Sequence, residues 1–257
     1  MSKKRCVLWD YKNTLQVPWA MDNINFNGPI SSVSNWNTWV PPELKGRSAF
    51  RPMVHLESQL SGQDWENVLN TDQPIIHFFN EPERNGISAE HAANIWNQQM
   101  VPLRNNKGKK LVSPSCSNDD AGQAWLADFM NRVSDNPPDY LGLHYYSTDG
   151  YAAIRFLESM HDKYPNQPII VSEIASIART KNDVYGFTIQ LANYMDAADW
   201  IFEYGFFGCM PELADNFVSP EAQLMNKDGT FTHLMNKLMN KQPLTWSGVW
   251  EKEQAGE

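Results

Sequence analysis

The segment PIIHFFNEPERNG, residues 74–86, starts as an apolar run and ends on an asparagine, a glutamate and a proline. Short apolar runs bounded by turn residues are typical of buried strands, so residues 74–79 are predicted to form one. A second segment, PIIVSEIAS at 168–176, has the same pattern, and its apolar run leads to Glu173. The two strand-end glutamates, Glu81 and Glu173, therefore raise the hypothesis that both side chains point into a common cleft.

Short apolar segments alternate with longer segments of helical periodicity along most of the chain, which is the pattern of βα units around a parallel sheet. The eight candidate strands cover residues 6–9, 30–36, 51–57, 74–79, 109–115, 140–146, 168–173 and 200–208. Candidate helices cover residues 61–70, 88–105, 120–133, 150–164 and 184–199. In the third of these helices Leu126, Phe129, Met130 and Val133 are spaced to form one face that packs on a sheet.

Eight strands with a helix after most of them predict a compact (β/α)8 TIM barrel. A doubly wound sheet would usually carry a glycine-rich phosphate turn after its first strand, and WDYKN stands there instead. The crossovers near residues 15–28 and 40–50 are short and rich in Pro and Asn, so the early helices are expected to be reduced. No repeat or linker divides the chain, and residues 1–257 are predicted to form a single catalytic domain.

Composition excludes several classes of protein. The formal net charge of -9 argues against nucleic acid as a partner, because phosphate recognition needs clustered Lys and Arg. No segment approaches the ~18 consecutive apolar residues of a membrane span, and the N-terminus lacks the apolar core of a signal peptide. A mature secreted domain would also lack a signal peptide, and an extracellular location is expected. A monomeric state is expected as well.

In a barrel of this type the active site lies at the carboxyl ends of the strands, which is where Glu81 and Glu173 fall. Two carboxyl groups flanking one glycosidic bond can protonate the leaving oxygen and attack the anomeric carbon. Glu81 would need a raised pKa to begin protonated, and the apolar strand and nearby Glu173 are expected to supply it. A metal-dependent hydrolase using His55, His77 and His144 is the weaker alternative, because no HxH motif follows the first strand. No metal and no cofactor are therefore predicted.

The ten tryptophans of the chain are numerous for its length, and several lie beside turn residues. Trp36 and Trp39 occur in SNWNTWVPP, and Trp9 ends the first apolar run. Flat aromatic rings in polar loops suit stacking on the apolar faces of sugar rings. These three residues are therefore candidates for substrate binding.

The ordered set of motifs resembles that of glycoside hydrolase family 128, a family of compact-barrel endo-β-1,3-glucanases in clan A. The resemblance rests on KRCVLW, SNWNTW, RPMVHLE, FNEPE, SPSCSND, AWLADFM, DYLGLHYYSTDGY, PIIVSEIAS and EYGFFG in this order, from about residue 4 to residue 208. The spacing between HYY and SEIA is its most specific part.

This resemblance implies roles for residues at matching positions. It implies that Glu81 is the acid/base, that Glu173 is the nucleophile, and that Asn80 binds the 2-hydroxyl of the reacting sugar. It also implies that His144 and Tyr146 line the cleft, and as residues i and i+2 of a strand they share one face.

Two departures from the family pattern bear on sugar stacking. The third strand reads PMVHLES, which places His55 and Glu57 where an aromatic residue is common, and the eighth ends on Phe206 and Phe207 without a Trp. His55, Phe206 and Phe207 are therefore candidates for substrate binding at these two strand ends. The resemblance implies a retaining endo-β-1,3-glucanase acting on laminarin or curdlan. A clan A glycosidase for another β-linked polysaccharide and a non-catalytic carbohydrate-binding barrel remain alternatives.

Overall fold

The apolar runs of the sequence form parallel strands in the computed structural model, which describes residues 2–213 and 215–245. Residues 1, 214 and 246–257, which the predicted single domain also includes, lie outside the described residues. The strands are β1 (Arg5–Leu8), β2 (Ile30–Ser34), β3 (Ala49–Phe50), β4 (Met53–Val54), β5 (Ile75–Phe78), β6 (Lys110–Val112), β7 (Leu141–Ser147), β8 (Ile169–Ser176) and β9 (Ile201–Phe206).

The third barrel position is divided into two short strands, β3 and β4. Arg51 and Pro52 separate them, and a proline has no N–H with which to continue a strand ladder. β3 pairs with β2, whereas β4 pairs with β5, so the two halves together join their neighbours on both sides. The predicted strand at 51–57 is thus displaced, because pairing runs from residue 49 to residue 54.

The strands close into a barrel. Six of them follow the order β3-β2-β1-β9-β8-β7 and three follow β4-β5-β6, all in parallel pairs. Between β6 and β7 the connection consists of two isolated parallel bridges, Val112 with Tyr140 and Cys116 with Leu143. The predicted α/β barrel with eight strand positions is therefore confirmed.

Helices cover the outside of the barrel, and those after the first two strand positions are reduced as predicted. They are α1 (Tyr11–Gln16), α2 (Gly62–Asn70), α3 (Ala89–Ile95), α4 (Val101–Lys107), α5 (Asp120–Arg132), α6 (Gly150–Lys163), α7 (Lys181–Ala197) and α8 (His233–Asn240). After β2 there is only a 3-10 turn at Pro42–Leu44, while α3 and α4 continue through a π-helical turn, Trp96–Met100. None of the helices in the described part of the chain is long and apolar enough to cross a membrane.

The helix faces pack as their periodicity predicts. The face of α5 and its C-cap is buried at all four predicted positions, Leu126, Phe129, Met130 and Val133. The N-cap of α5 is Asp119, whose side chain accepts a hydrogen bond from the Gly122 amide and so satisfies one of the free N–H groups of the first turn. α8 lies outside the predicted helices, although it too buries an apolar face.

The barrel interior holds a buried ion pair between Arg51 and Glu203. The Arg51 Nε and Nη2 atoms lie 2.8 Å from the two carboxylate oxygens, in a bidentate arrangement. Ser31 Oγ donates a further hydrogen bond to Glu203 at 2.7 Å. A buried charge is tolerated only when it is paired and hydrogen-bonded, and Glu203 satisfies both conditions.

Candidate active site

Glu81 lies on a strained turn directly after β5. Glu81 has φ 43° and Phe79 has φ 26°, a region that non-glycine residues seldom adopt. The Glu81 amide donates to the carbonyl of Ser115 at 2.8 Å, and Pro82 begins a 3-10 turn, so the backbone is held on both sides. The turn thereby carries the carboxylate from the end of the strand to the edge of the cleft, as the opening segment predicts.

Glu173 lies within β8, and two hydrogen bonds fix its carboxylate. Trp36 Nε1 donates to Oε1 and the Tyr146 hydroxyl donates to Oε2, both at 2.6 Å. Burial, the Glu173 charge and this hydrogen bond together raise the pKa of Tyr146 well above its usual value, so the phenol stays protonated as a donor. Glu173 is therefore oriented from β7 and from the loop that follows β2.

His144 lies between the two glutamates and is completely buried. Its Nδ1 is 3.0 Å from Glu81 Oε1, a hydrogen bond, and its Nε2 is 3.5 Å from Glu173 Oε1, an ion-pair contact. Strand register explains the second contact, because His144 of β7 pairs directly with Glu173 of β8. One imidazole thus connects both predicted catalytic carboxyl groups.

The pKa directions of this trio differ from the sequence-based expectation for Glu81. Burial raises the pKa of Glu81, but the hydrogen bond and charge of His144, together with Arg84, outweigh it, so the pKa is lowered. Burial lowers the pKa of His144, but Glu173 and Glu81 outweigh it and the pKa is raised. The expected raised pKa of Glu81 is therefore wrong, because His144 and Arg84 favour the ionised carboxylate more than burial disfavours it.

A first pocket, of about 600 Å³, opens on one side of Glu173. We call it the His55 pocket; Trp36, His55, Asn80 and Phe207 contribute to its wall, beside Asp10 and Tyr11. Asn80 Oδ1 is buried and has no hydrogen-bond partner within the described residues, which leaves it ready for a ligand hydroxyl. Burial lowers the pKa of His55, so this side chain is neutral at neutral pH.

A second pocket, of about 370 Å³, lies on the other side of Glu173. We call it the Phe217 pocket; it is lined by Glu81, Arg84, Asn118, Tyr146, Phe207 and Phe217 among others. Glu81 contributes to this pocket and is not among the lining residues of the His55 pocket. The cleft therefore continues on both sides of the paired glutamates.

The structure brings together eight of the eleven predicted site residues and corrects the others. Trp9 is completely buried, and its Nε1 donates to Glu43 at 2.8 Å, so it belongs to the core. Phe206 is also buried, packed edge-to-face on Tyr204, because neighbouring strand residues face opposite sides and only Phe207 reaches the cleft. Trp39 is half-buried and lines neither pocket.

Several residues of the cleft were not predicted from the sequence. Arg84 follows Glu81 by three residues, a spacing on a turn that could have indicated its contact with the carboxylate, 3.5 Å from Nε to Oε2. Phe217 lies beyond the last predicted strand and outside the motifs of the resemblance, so no sequence signal marked it. Glu57, in contrast, points away from the cleft and contacts His91 at 3.0 Å.

Metal binding was the weaker alternative, and its proposed ligands are not arranged as a site. His77 is buried without a hydrogen-bond partner among the described residues, and burial lowers its pKa to about 3. His55 lies in a pocket wall, and His144 is engaged by Glu81. Across residues 2–213 and 215–245, no group of three or more His, Cys, Asp or Glu side chains has a geometry that could hold a metal ion.

Comparisons with known proteins agree with this geometry. A family model described as "Glycosyl hydrolase catalytic core" matches residues 14–237. The crystal structure of a GH128 (subgroup VI) exo-β-1,3-glucanase from Aureobasidium namibiae is 60% identical, covers 96% of this chain and 99% of its own, and superposes with a TM-score of 0.95.

More distant structures share the fold. A GH128 (subgroup IV) endo-β-1,3-glucanase from Lentinula edodes is 21% identical, covers 92% of this chain and 99% of its own, and has a TM-score of 0.79. Among curated proteins, Alkali-sensitive linkage protein 1 from Schizosaccharomyces pombe is 26% identical over 162 residues. This match covers 59% of the present chain and spans only 30% of the length of that relative.

Proposed function

We propose a retaining exo-β-1,3-glucanase activity for this chain on the premise that it belongs to the glycosyl hydrolase catalytic core family, and within it to glycoside hydrolase family 128. The observation that carries the proposal is the trio of Glu81, His144 and Glu173 with an open pocket on either side. An ion pair with a purely structural role requires neither a second carboxylate on the same imidazole nor a pocket on each side of it.

In the first step, Glu173 attacks the anomeric carbon and Glu81 protonates the departing glycosidic oxygen. The bond from the anomeric carbon to that oxygen breaks while an ester to Glu173 forms. The proton comes from the hydrogen-bonded pair of Glu81 and His144, whose Oε1 and Nδ1 atoms lie 3.0 Å apart. In the second step, Glu81 takes a proton from water, which attacks the ester and releases the sugar with its original configuration. This proton replaces the one that the Glu81–His144 pair gave up in the first step.

The two pockets take different parts of the substrate in this proposal. Glu81 protonates the leaving group and lines the Phe217 pocket, so that pocket receives the leaving part of the glucan. Asn80, with its unpartnered oxygen, lines the His55 pocket, so that pocket receives the sugar that becomes attached to Glu173. Trp36 serves both as a wall of the His55 pocket and as a hydrogen-bond donor to Glu173.

The exo mode replaces the endo mode expected from the sequence, and its support is the 60% identical Aureobasidium protein, which is described as an exo-β-1,3-glucanase. Laminarihexaose labelled at its reducing end distinguishes the modes. An exo enzyme acting from the non-reducing end releases one short unlabelled product, and labelled chains shorten stepwise. An early mixture of labelled products of every length would instead indicate endo cleavage.

Assignment of the two glutamates is tested by rescue of Glu81→Ala with azide, using a substrate with a good leaving group. Such a leaving group departs without a proton, and azide attacks the ester without a general base. A β-glycosyl azide is expected, and Glu173→Gln should show no turnover and no rescue. Glu83→Gln is the matched control, because this neighbouring carboxylate accepts from the Ser117 amide instead. An α-azide would contradict the retaining mechanism.

We propose that β-1,3-glucan is preferred over other β-linked polysaccharides, which a panel of laminarin, lichenan, cellulose and xylan tests. Binding of glucan without release of sugars would favour the non-catalytic alternative. Because one chain provides both glutamates and both pockets, we propose action as a monomer and without nucleic acid as a partner. The polymeric substrate is too large to cross a membrane, so we propose an extracellular location.

A further inference from the structure

We infer that the exposed side chains of Tyr11, Leu15 and Trp19 form a second glucan-binding surface, which holds the protein on insoluble β-1,3-glucan while the cleft acts on a chain end. We call this surface the Trp19 stripe. The inference rests on the proposed function, because its ligand is the same polysaccharide. Leu15 and Trp19 line neither pocket, and the reaction at the two glutamates does not require them.

The Trp19 stripe concentrates exposed apolar surface in one short segment. Tyr11 is 46% exposed, Leu15 74% and Trp19 48%, all within residues 11–19. Tyr11 and Leu15 are four residues apart in α1, so they lie on one face of the helix. Single apolar residues at a surface need no explanation, whereas several large ones close together mark a surface that binds a partner.

The indole of Trp19 is held in place although about half of the residue is open to solvent. Trp19 lies in a 3-10 turn, Pro18–Asn23, whose next two residues are completely buried in the core. One edge of the indole lies against the turn at residues 226–230, because a Cβ atom at Gly229 would be only 2.9 Å from Trp19 Cζ2. Gly229, with φ 85°, therefore permits the close approach. A ring fixed in this way loses little conformational entropy when a ligand covers it.

Polar side chains for sugar hydroxyls belong to the turn that contacts the indole. Asn226, Lys227 and Asp228 are exposed there. The Asn226 amide donates to the Thr230 carbonyl at 2.7 Å, and the Thr230 amide donates to Asp228 Oδ1 at 3.0 Å, so the turn is well defined. Sugar rings have apolar faces and hydroxyls at their edges. An aromatic face beside an amide, an ammonium and a carboxylate suits such a ligand.

The Trp19 stripe begins at the cleft. Tyr11 lines the His55 pocket beside Asp10, because α1 starts directly after the carboxyl end of β1. Leu15 is one helical turn, about 6 Å, further along the axis and no longer lines the pocket. A protein bound through Trp19 therefore keeps its cleft close to the same glucan particle, which raises the effective concentration of chain ends.

A neutral polysaccharide suits this surface better than a protein or a membrane. A stable protein interface involves roughly 20–30 residues on each side, and the Trp19 stripe offers three. Membrane surfaces attract clustered Lys and Arg, whereas Lys12 is the one basic residue within residues 11–19 and the net charge is -9. Glucan carries no charge, and linked sugars form a narrow chain. Because chains lie side by side in an insoluble particle, the surface and the cleft can bind neighbouring chains.

The test measures binding to particles of curdlan, an insoluble β-1,3-glucan, with Glu173→Gln as the parent protein so that the ligand is not consumed. Depletion of protein from solution at increasing particle concentration gives the dissociation constant. Adding Trp19→Ala is expected to raise this constant about tenfold, because the open half of the indole no longer contributes apolar contact. Leu15→Ser should raise it as well, and so exposed a side chain can be replaced without disturbing the core. Trp19→Tyr should retain most of the binding.

Activity measurements separate the Trp19 stripe from the cleft. In the otherwise wild-type chain, Trp19→Ala should release several-fold less sugar from curdlan, while its kcat/KM on soluble laminaritriose matches that of the wild type. Tyr151→Ala is the matched control, because Tyr151 is 67% exposed, lines neither pocket and has the charged Arg155 four residues further along α6. Its curdlan binding and both activities should equal those of the wild type.

Unchanged curdlan binding in Trp19→Ala overturns this inference, as does a parent protein that does not bind curdlan. If Trp19→Ala does not fold, unchanged binding in Leu15→Ser has the same meaning. An equal loss in Tyr151→Ala, binding that weakens steeply with salt, or a dimer that Leu15→Ser dissociates also overturns it, the last by showing that a second copy covers the surface. A wild type that binds curdlan through Trp19 but hydrolyses neither substrate overturns the proposed function and not this surface.

Discussion

Replacing Tyr146 with Phe tests how much of the activity depends on the orientation of Glu173. The change removes one oxygen atom and the 2.6 Å hydrogen bond to Oε2, while the ring keeps its contacts with Phe207 and Phe217. Trp36 then remains the other hydrogen-bond donor to the carboxylate among the described residues. The carboxylate can rotate about its last torsion, and the attacking oxygen is no longer directed at the anomeric carbon.

The magnitude follows from the type of bond that is lost. A hydrogen bond to a charged group contributes ~1.5–3 kcal/mol, which corresponds to a loss of roughly 10- to 150-fold in kcat/KM. The loss should fall mainly on kcat, because the hydroxyl contacts the nucleophile and not the bound ground-state sugar. The assay is steady-state hydrolysis of laminari-oligosaccharides, with thermal unfolding measured for each variant.

Tyr145→Phe is the matched control for this experiment. Tyr145 is the preceding residue of β7, faces the opposite side of the strand and packs on Phe156 of α6, with centroids 5.0 Å apart. The Tyr145→Phe variant also loses a phenolic hydroxyl from β7, but this hydroxyl lies outside the cleft. Its kcat/KM should therefore match that of the wild type. The reasoning is refuted if Tyr146→Phe stays within about threefold of wild type while remaining folded, or if both variants lose activity equally.

Four further predictions concern the pH profile of activity, the pH dependence of stability, a buried ion pair and metals. Because Glu173 and Glu81 raise the pKa of His144, His144→Gln should move the alkaline limb of the pH profile of kcat/KM to lower pH. An unchanged limb would show that His144 does not supply the catalytic proton. The stability that the Glu81–His144 pair contributes should be lost as pH rises through the raised pKa of His144 and as it falls through the lowered pKa of Glu81, which urea titrations across pH would measure. Glu203→Gln should lower the free energy of unfolding by ~3–5 kcal/mol, because it leaves Arg51 buried and unpaired. Asp128→Asn, at the surface pair with Arg132, should lower it by ~1 kcal/mol or less. Equal losses in the two variants would contradict a special role for the buried pair. EDTA should leave activity unchanged, since the carboxylates complete the reaction, and restoration of a lost activity by added zinc would contradict that mechanism.

The arrangement of elements and the positions of the two glutamates could be predicted from the sequence because both depend on local patterns. Apolar runs of strand length and helical faces such as that of α5 alternate along the chain, and parallel strands bring their carboxyl ends to one edge. Glu81 and Glu173 had to meet there once the barrel closed. His144 and Tyr146 share a strand face for the same reason, and the structure places both at the glutamates.

The sequence could not indicate which neighbour of a pair faces the cleft. Phe206 and Phe207 are adjacent and chemically identical, and a shift of one residue in strand register exchanges their faces. The pairing of β8 with β9 contains such irregularities, between Ile169 and Ile170 and between Val171 and Ile174. Only the three-dimensional ladder decided that Phe207 lines the cleft and Phe206 the core. Trp9 was misplaced for a similar reason, since its partner Glu43 comes from a distant turn.

Tertiary structure also decided the electrostatics and the far side of the cleft. The lowered pKa of Glu81 depends on His144, which is 63 residues away along the chain, so the local apolar strand was the wrong guide. The position of Phe217 depends on Arg179, 38 residues away. Sequence patterns report periodic burial within one element, whereas charge coupling and loop anchoring arise between elements that are distant in sequence and meet only after the barrel has closed.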